Sequence, residues 1–341
     1  MKRILMIALT ALLLLAACGR KDPELPAAMY YWRTTFALSA AERQALRDYG
    51  VGRLYVRMFD VVAGEDRKPR PEGSLRFSEP WPEGVEAVPV VFIDRRVFPA
   101  SEPDTLAQLI VKRVAAMAEH NGLPPVKELQ LDCDWTPSTR ASFFRLAERA
   151  TGLMHERGGE VSSTIRLHQL AQDPPPVDRG VLMVYNTGNF KDAGEPNSIL
   201  TEHSIEPFMK YLKGYPLPLS TALPVYRWDL VFAGPDFRQI CRIPEPDDTT
   251  LYRALDRNHL LVKSYHSVPS PLNPGGENVR LYPGNTIRRE GAPYAILMAV
   301  KQRLAKERPG AVRSVVLYHL DENSLKCYKI DEIKELLDSG R

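Results

Sequence analysis

Two aspartates stand two residues apart in the segment 129–136, which reads Leu-Gln-Leu-Asp-Cys-Asp-Trp-Thr. The segment has the composition of a strand, and alternate strand side chains share a face, so Asp132 and Asp134 lie opposite Cys133. Two carboxylates on an interior face are costly to bury unless they are paired or take part in a reaction, which makes them candidates for catalytic acid/base groups. The alternative is structural, with Arg57 or Arg166 from neighbouring predicted strands neutralising both.

The surrounding elements alternate between strand-like apolar runs and helical patterns, which is typical of parallel α/β folds. Near-continuous apolar runs such as Val88 to Ile93 are typical of strands buried on both faces. No Gly-rich phosphate turn follows the first strand, which disfavours an open doubly wound sheet. We therefore predict an α/β fold of the (β/α)8 barrel type over residues 28–341. The predicted strands are 28–36, 53–62, 87–94, 128–135, 161–168, 180–187, 219–232 and 314–321, and the predicted helices are 40–49, 105–121, 139–157, 199–213, 294–307 and 330–337.

Two connections depart from this repeat. Residues 64–84 are rich in Pro, Arg and Glu where a crossover helix is expected, and residues 233–292 form a long insertion between strand 7 and the last barrel helix. The insertion is predicted to hold a small subdomain around residues 249–261. Long loops after barrel strands commonly build functional sites, so we expect the site at the C-terminal mouth of the barrel.

Short motifs at the predicted strand ends resemble the chitinase-like glycoside hydrolases of family eighteen and bacterial lipoproteins with glycosidase-like barrels. Strand four of that family ends in DxDxE; here Asp132 and Asp134 match, and Thr136 replaces the glutamate. Strand six often reads MxYD, and here Asn186 follows Tyr185 in place of the aspartate. Strand seven often contains P-x-Y-x-R, which resembles the run from Pro224 to Arg227, and strand eight usually ends in an aromatic residue, where this chain has His319.

The resemblance implies a specific mechanism that this sequence lacks. In the family the glutamate protonates the glycosidic oxygen and the substrate's acetamide acts as nucleophile, oriented by an aspartate. Thr136 cannot donate that proton, and losing a general acid costs about a hundred- to ten-thousand-fold in rate. Either another carboxyl supplies the acid, or the groove binds a glycan without cleaving it. Besides Asp132 and Asp134 themselves, the candidate carboxyls are Asp60, Asp94, Asp321 and Glu322.

Aromatic and polar side chains near the strand ends are candidates to contact a sugar. Aromatic faces stack on sugar rings, although large aromatics in a barrel more often form core, and a hydrogen-bonded histidine is more often structural. The candidate ligand-binding residues are Trp135, Tyr185, Asn186, Tyr226, Arg227, Trp228, His319 and Asp321; Tyr31, Trp32 and Tyr318 also fall near strand ends. No metal-ligand spacing occurs, so we expect neither metal nor other cofactor.

The first residues predict export and lipidation. Lys2 and Arg3 precede an apolar run over residues 4–17, which is shorter than the about 20 residues of a spanning helix. Small residues then stand directly before Cys18, which is typical of a lipoprotein signal peptide. Residues 1–17 are thus a predicted signal peptide, 18–27 a tether, and the bilayer is the partner of lipidated Cys18 in the cell envelope, facing the periplasm or cell surface.

Charge and cysteine content narrow the function classes further. Removal of Lys2 and Arg3 leaves 43 basic against 42 acidic residues. With no basic stripe, the nearly neutral chain is not expected to bind nucleic acid. Cys133 is predicted to be a buried thiol, while the sequence leaves open whether Cys241 and Cys327 form a disulfide.

These observations favour a membrane-anchored glycosidase-like lipoprotein that binds a glycan without the family's usual catalysis. The sequence leaves two alternatives open. One is a glycoside hydrolase with a relocated acid/base, and the other is a structural envelope lipoprotein.

Overall fold

The computed structural model describes Asp22 and residues 25–270 and 278–338. Residues 1–17 and Cys18, on which the signal-peptide and lipidation predictions rest, lie outside the described residues. No helix within the described ranges is long and apolar enough to span a membrane.

The strands of the described chain are β1 (Ala28–Tyr31), β2 (Thr35–Phe36), β3 (Arg53–Ala63), β4 (Pro69–Glu72), β5 (Arg76–Phe77), β6 (Glu86–Ile93), β7 (Glu128–Asp132), β8 (Glu160–Arg166), β9 (Arg179–Met183), β10 (Leu219–Pro224), β11 (Arg227–Ala233), β12 (Asp236–Cys241), β13 (Tyr252–Ala254), β14 (His259–Val262), β15 (His266–Val268), β16 (Val279–Leu281), β17 (Thr286–Gly291) and β18 (Val315–Tyr318). Its α-helices are α1 (Ala40–Asp48), α2 (Pro103–His120), α3 (Arg140–His155), α4 (Glu202–Leu212), α5 (Tyr294–Glu307), α6 (Glu322–Leu325) and α7 (Ile330–Leu337). Short 3-10 helices cover Arg95–Ala100, Leu167–Ala171 and Pro309–Val312.

Eight parallel strands close into a barrel, which confirms the predicted fold. The pairing order is β1, β3, β6, β7, β8, β9, β10 and β18, and β1 pairs with both β3 and β18 to close the ring. Each predicted barrel strand overlaps one of these strands. The helices that follow β6, β7, β9 and the insertion are α2, α3, α4 and α5, as the helical spacing predicts.

Strand alternation divides the barrel residues into two cores. Tyr30, Tyr55 and Val181 pack together inside the barrel. Their neighbours in sequence, such as Tyr31 and Leu182, belong to the much larger core between the strands and the helices. The side chains that β7 and its extension direct inward are therefore those on the face of Gln130 and Asp132.

Paired charges close the amino-terminal end of the barrel, here called the base. The Glu128 carboxylate is almost fully buried and accepts hydrogen bonds from Arg53 at 2.8 Å, from Arg179 and from the Tyr55 hydroxyl at 3.3 Å. Two guanidinium groups thus neutralise a carboxylate that would be prohibitively costly to bury alone. This network is structural, because functional sites of such barrels lie at the opposite end.

The connection over residues 64–84 contains no helix, as its composition indicates. Strand β4 turns back antiparallel to β3, and β5 pairs with β2.

The predicted strand 219–232 differs from the structure, which divides it into β10 and β11. Strand β10 belongs to the barrel, whereas β11 pairs antiparallel with β12 and β17 in a separate sheet of order β12, β11, β17, β14, β13. The sheet has its own core, which includes Val231, Tyr252 and Ile287. The composition does not reveal this break because β10 and β11 are both mostly buried, β10 within the barrel and β11 in the separate sheet. The insertion subdomain therefore begins at Arg227.

The three cysteines of the described chain are free thiols. Cys133 and Cys241 are buried, whereas Cys327 is exposed and lies 3.3 Å from a guanidinium nitrogen of Arg227. The disulfide left open for Cys241 and Cys327 is absent from this structure.

Candidate functional site

Asp132 lies inside the barrel at the end of β7 and has two hydrogen-bond donors. Its Oδ1 accepts from the Thr164 hydroxyl at 2.7 Å and from Arg166 Nη2 at 3.0 Å. Burial raises the pKa of the Asp132 carboxyl, although Arg166 and Thr164 oppose that rise by stabilising its ionised form. The carboxylate is thus held in place from the adjacent strand β8.

Asp134 shares the same guanidinium. Arg166 Nε donates to Asp134 Oδ1 at 2.5 Å, while about half of the Asp134 side chain remains exposed. Burial alone would lower the pKa of Arg166, but the two aspartates raise it above its ordinary value, so the guanidinium stays charged. The two residues converge as strand alternation predicts, and Arg166 pairs with both, as the structural alternative proposed.

Arg57, the other candidate partner, instead binds Asp60 within its own strand. Cys133 packs in the helix-side core, opposite the aspartates.

Thr136 lies outside the barrel interior, in the turn that precedes α3. Its hydroxyl is 2.9 Å from the Ser138 hydroxyl and 3.2 Å from that of Thr139. It therefore belongs to a cluster of neutral hydroxyls at the start of the helix. These hydroxyls are far weaker acids than a carboxylic acid, so this arrangement does not take the place of a carboxylic acid as proton donor.

Stacked tyrosines occupy the part of the mouth between β9, β10 and β18. The rings of Tyr185 and Tyr318 stack at 4.9 Å, and the Tyr226 ring stands edge-on to Tyr318 at 5.6 Å. Tyr30, from β1, lies 5.6 Å from Tyr318. Burial raises the pKa of each of these hydroxyls, so all four remain neutral.

Trp32 extends this cluster toward solvent, with its ring 6.1 Å from that of Tyr318. Sequence reasoning singled out Trp32 and Tyr318 but missed Tyr30. The signal was present, because Tyr30 and Trp32 are two residues apart and therefore share a strand face.

Asn186 follows β9 in a left-handed conformation, with φ of 52°. Its side-chain oxygen accepts a hydrogen bond from the Tyr226 hydroxyl. The amide is otherwise exposed, so it is available to a ligand at the rim. Asn186 and Tyr226, both predicted from motifs, thus meet across neighbouring strand ends.

Trp228 joins the mouth to the insertion subdomain. Its indole nitrogen donates to Glu290 Oε2 at 2.6 Å, and its ring lies 5.5 Å from that of Tyr226. Glu290 is buried and also pairs with Arg288, whose guanidinium donates to the backbone oxygens of Asp192 and Phe190. This buried pair fastens the subdomain to the loop after β9, and it was not anticipated from the sequence.

His319 and Asp321 follow β18, where His319 is buried and Asp321 is held by neighbouring groups. Burial lowers the pKa of His319 to about 4, so the imidazole is neutral. Although burial acts to raise it, the pKa of Asp321 lies below its ordinary value because Ser324 and Arg242 stabilise the carboxylate. Asp321 caps α6, accepting from the Ser324 backbone, and lies 3.1 Å from Arg242.

Two residues predicted to bind the ligand lie away from the aspartates and the stacked tyrosines. Trp135 is 2% exposed and packs against Phe144 of α3, because it falls on the same face as Cys133 and not on that of the aspartates. Arg227 is exposed, but the side-chain contact of its guanidinium is the Cys327 sulfur, at the edge of the subdomain.

The remaining carboxyl candidates have cationic partners. Asp94 caps the 3-10 helix Arg95–Ala100, and the hydrogen bond from Arg96 lowers the pKa of its carboxyl. Glu322 accepts from Ser39 and pairs with Lys326, which holds its pKa below the ordinary value. Both carboxyls are therefore ionised at neutral pH.

A cavity of about 320 Å³ opens at the mouth beside β6 and β7. It lies at the edge of the aspartate pair and is lined by Phe92, Ile93, Asp94, Arg95, Arg96 and Asp134. Across the described ranges, no group of three His, Cys, Asp or Glu side chains is arranged to hold a metal ion.

Solved structures share this architecture. A chitinase from Chromobacterium violaceum matches with a TM-score of 0.55 at 11% identity, covering 91% of this chain and 97% of that one. The chain has the chitinase-like barrel fold. The C-terminal domain of a putative chitinase from Desulfitobacterium hafniense gives a TM-score of 0.55 at 10% identity, covering 93% of this chain and all of that domain.

The spore cortex-lytic enzyme SleL of Bacillus cereus resembles this chitinase-like barrel with a TM-score of 0.53 at 14% identity, covering 93% of this chain and 74% of SleL. No protein-family profile and no curated protein sequence matches the chain. Structural matches at identities this low show that the fold is shared, as the motifs predicted. They do not show the activity, which has to be argued from the chemistry of the mouth.

Proposed function

We propose that this chitinase-like barrel binds a glycan at its mouth without hydrolysing it, while a lipid on Cys18 holds it to a membrane outside the cytoplasm. The observation that carries the proposal is the pairing of Arg166 with both Asp132 and Asp134, beside a threonine at the position of the family's acid. Both carboxylates have a fixed cationic partner. The site is therefore suited to hydrogen bonding more than to proton transfer.

The absence of a suitable acid supports binding over cleavage. A general acid must be protonated at working pH and must reach the leaving oxygen. Asp94, Asp321 and Glu322 have lowered pKa values, and Asp132 is buried beneath its donors. The Thr136 hydroxyl has no useful acidity.

The chemistry of the rim supports a sugar ligand. Tyr185, Trp32 and Trp228 are only partly buried and offer aromatic surface beside the exposed amide of Asn186. Such a mixture of aromatic faces and neutral hydrogen-bonding groups is typical of small-molecule sites. The cavity next to Asp134 provides an adjacent open space.

Binding and cleavage are separated by one screen on the purified full-length chain. Because its structural neighbours include chitinases and a cortex-lytic enzyme, the screen begins with chitin oligosaccharides and bacterial cell-wall fragments. We expect calorimetry to detect binding and a reducing-end assay to detect no product. Tyr185→Ala and Asn186→Ala should weaken binding, while Tyr211→Ala, an exposed tyrosine on α4, should leave it unchanged.

A hydrolase with a relocated acid is the second candidate, favoured by one observation. Asp94 and Asp134 line the same cavity, as a pair of catalytic carboxylates would. If product forms, and Asp94→Asn abolishes its formation without weakening binding, this candidate replaces the first. If no glycan binds, the structural envelope role becomes the better interpretation.

A further inference from the structure

The tether that follows the lipidated cysteine is clamped to the base of the barrel. Asp22 Oδ2 accepts a hydrogen bond from Arg308 Nε at 2.8 Å, and its Oδ1 accepts from Arg308 Nη2 at 2.5 Å and from the Leu219 backbone nitrogen at 2.9 Å. The Asp22 and Arg308 side chains are 8% and 14% exposed. This is a bidentate, largely desolvated ion pair, which is the strong form of such a contact.

The surroundings are shaped for this carboxylate. Arg308 also donates to the backbone oxygens of Tyr215 at 2.6 Å and Leu217 at 2.9 Å, which fixes the guanidinium. Gly310 is required nearby, because a Cβ at that position would lie 2.2 Å from Asp22 Oδ2. Further along, the Leu25 backbone nitrogen donates to the Ser314 hydroxyl at 2.7 Å.

The position of the clamp is informative. Leu219 is the first residue of β10, and Ser314 directly precedes β18, so both contacts lie at the amino ends of barrel strands. The candidate site lies at the carboxyl ends of the same strands. Along β10 alone, the Cα atoms of Leu219 and Pro224 lie roughly 17 Å apart, at about 3.3 Å per residue.

The clamp shortens the tether. Asp22 stands only four positions after Cys18, so the cysteine lies at most about 14 Å from the clamp, whereas the ten positions to Ala28 would allow about 35 Å. We propose that the base of the barrel rests on the surface of the bilayer that holds Cys18, and that the mouth faces away from that bilayer. The proposal relies on the lipid anchor of the proposed function.

This orientation restricts the class of glycan. A sugar attached to a lipid in the same leaflet meets the base and cannot reach the mouth. The ligand is therefore a glycan that stands away from the anchoring membrane, such as a wall polymer or a soluble oligosaccharide.

The experiment uses the full-length lipidated protein in vesicles whose headgroups carry spin labels. A fluorophore on the exposed Cys327 reports on the mouth side, and one on Lys213→Cys in a Cys327→Ser background reports on the base, where Lys213 directly follows α4. Vesicle flotation first measures anchoring. We expect strong quenching of the base label and little quenching of the mouth label.

Two variants lengthen the tether in different ways. A flexible Gly/Ser spacer of about twelve residues after Gly19 leaves the clamp intact but removes the length limit, so the base label should lose its quenching. Asp22→Ala should reduce that quenching, while Glu206→Ala, which removes the surface pair with Arg303, should not.

Equal quenching of both labels, or an unchanged base signal in the spacer variant, would overturn the orientation. Failure to float would overturn the anchor and the orientation together. Loss of glycan binding with the quenching pattern retained would contradict the glycan site and support the orientation.

Discussion

Arg166 reaches back from the end of β8 to Asp132, and its Nη2 lies 3.0 Å from the Asp132 Oδ1 buried at the end of β7. The two residues come from adjacent strands, so the pair ties the barrel together at its mouth. The pair also engages the Asp132 carboxyl, whose pKa burial raises, so this carboxyl is not free to exchange a proton with a ligand. The same interaction therefore carries both a structural and a functional consequence.

Asp132→Ala should destabilise the fold strongly. The substitution leaves the Arg166 charge with Asp134 as its remaining partner and the Thr164 hydroxyl without its acceptor. Removing one member of a buried pair costs about 3–5 kcal/mol. Urea unfolding measures this loss, and Asp132→Asn should recover part of it because the amide still accepts from Thr164. A free energy of unfolding within error of wild type for Asp132→Ala would show that Asp132 contributes no net stabilisation.

Asp134→Asn should weaken glycan binding while changing stability little. Its side chain is about half exposed, and exposed ion pairs contribute only about 0–1 kcal/mol. Calorimetry with the best ligand of the screen gives the affinity, and thermal melting gives the stability. A large drop in melting temperature with unchanged affinity per folded molecule would assign Asp134 a structural role and favour the envelope-scaffold alternative.

Glu290→Ala should detach the insertion subdomain from the barrel. It leaves the Arg288 guanidinium, 1% exposed, without its carboxylate and removes the acceptor of the Trp228 indole. We expect a loss of about 3–5 kcal/mol and earlier proteolysis within the subdomain. Asp236→Ala removes an exposed pair with Arg238 in the same subdomain and serves as the control. Equal proteolysis of both variants would contradict the anchoring role of Glu290.

His319 should make the protein less stable as the pH falls below 6.5. Burial lowers the pKa of the folded imidazole from 6.5 to about 4, so between these values the unfolded chain binds a proton that the folded chain does not. Unfolding then takes up a proton, so the free energy of unfolding decreases as the pH is lowered through this window. At pH 5 the expected loss relative to pH 7 is at most about 2 kcal/mol.

The control for this prediction is His319→Asn, which lacks the titrating group. Denaturant unfolding of both proteins at pH 7 and pH 5 isolates the contribution of His319, since other carboxyls titrate in both. Parallel pH dependence in the two proteins would show that His319 is protonated equally in its folded and unfolded states.

Local periodicity in the sequence predicted most of the fold. Apolar alternation located all eight barrel strands, and helical spacing placed α5 and α7 at their observed bounds. The boundary between β10 and β11 was missed because local composition does not distinguish two adjoining cores. Trp135 was predicted to contact a ligand, although it stands two residues after Cys133 and alternation therefore places it on the helix side.

Within the site, contacts between distant segments were harder to predict. Both Arg57 and Arg166 were candidate partners for the aspartates, and only the register of β7 against β8 selects Arg166. Arg288 and Glu290 alternate on one face of β17, yet their partners lie about a hundred residues earlier in the chain. Such long-range pairings are not encoded in any local pattern.

Cys18→Ser should abolish lipidation and leave the precursor uncut. The cysteine thiol is the atom that receives the lipid, and the hydroxyl of serine is not an equivalent nucleophile. Metabolic labelling with palmitate should mark wild type and leave the variant unlabelled, and the variant should migrate more slowly because it retains residues 1–17. Cys327→Ser is the matched control, since it removes an exposed thiol far from the amino terminus and should label as wild type does. Equal labelling of the Cys18 variant would contradict the lipid anchor, and with it the orientation of the mouth away from the bilayer; the glycan-binding measurements on the purified chain would stand independently.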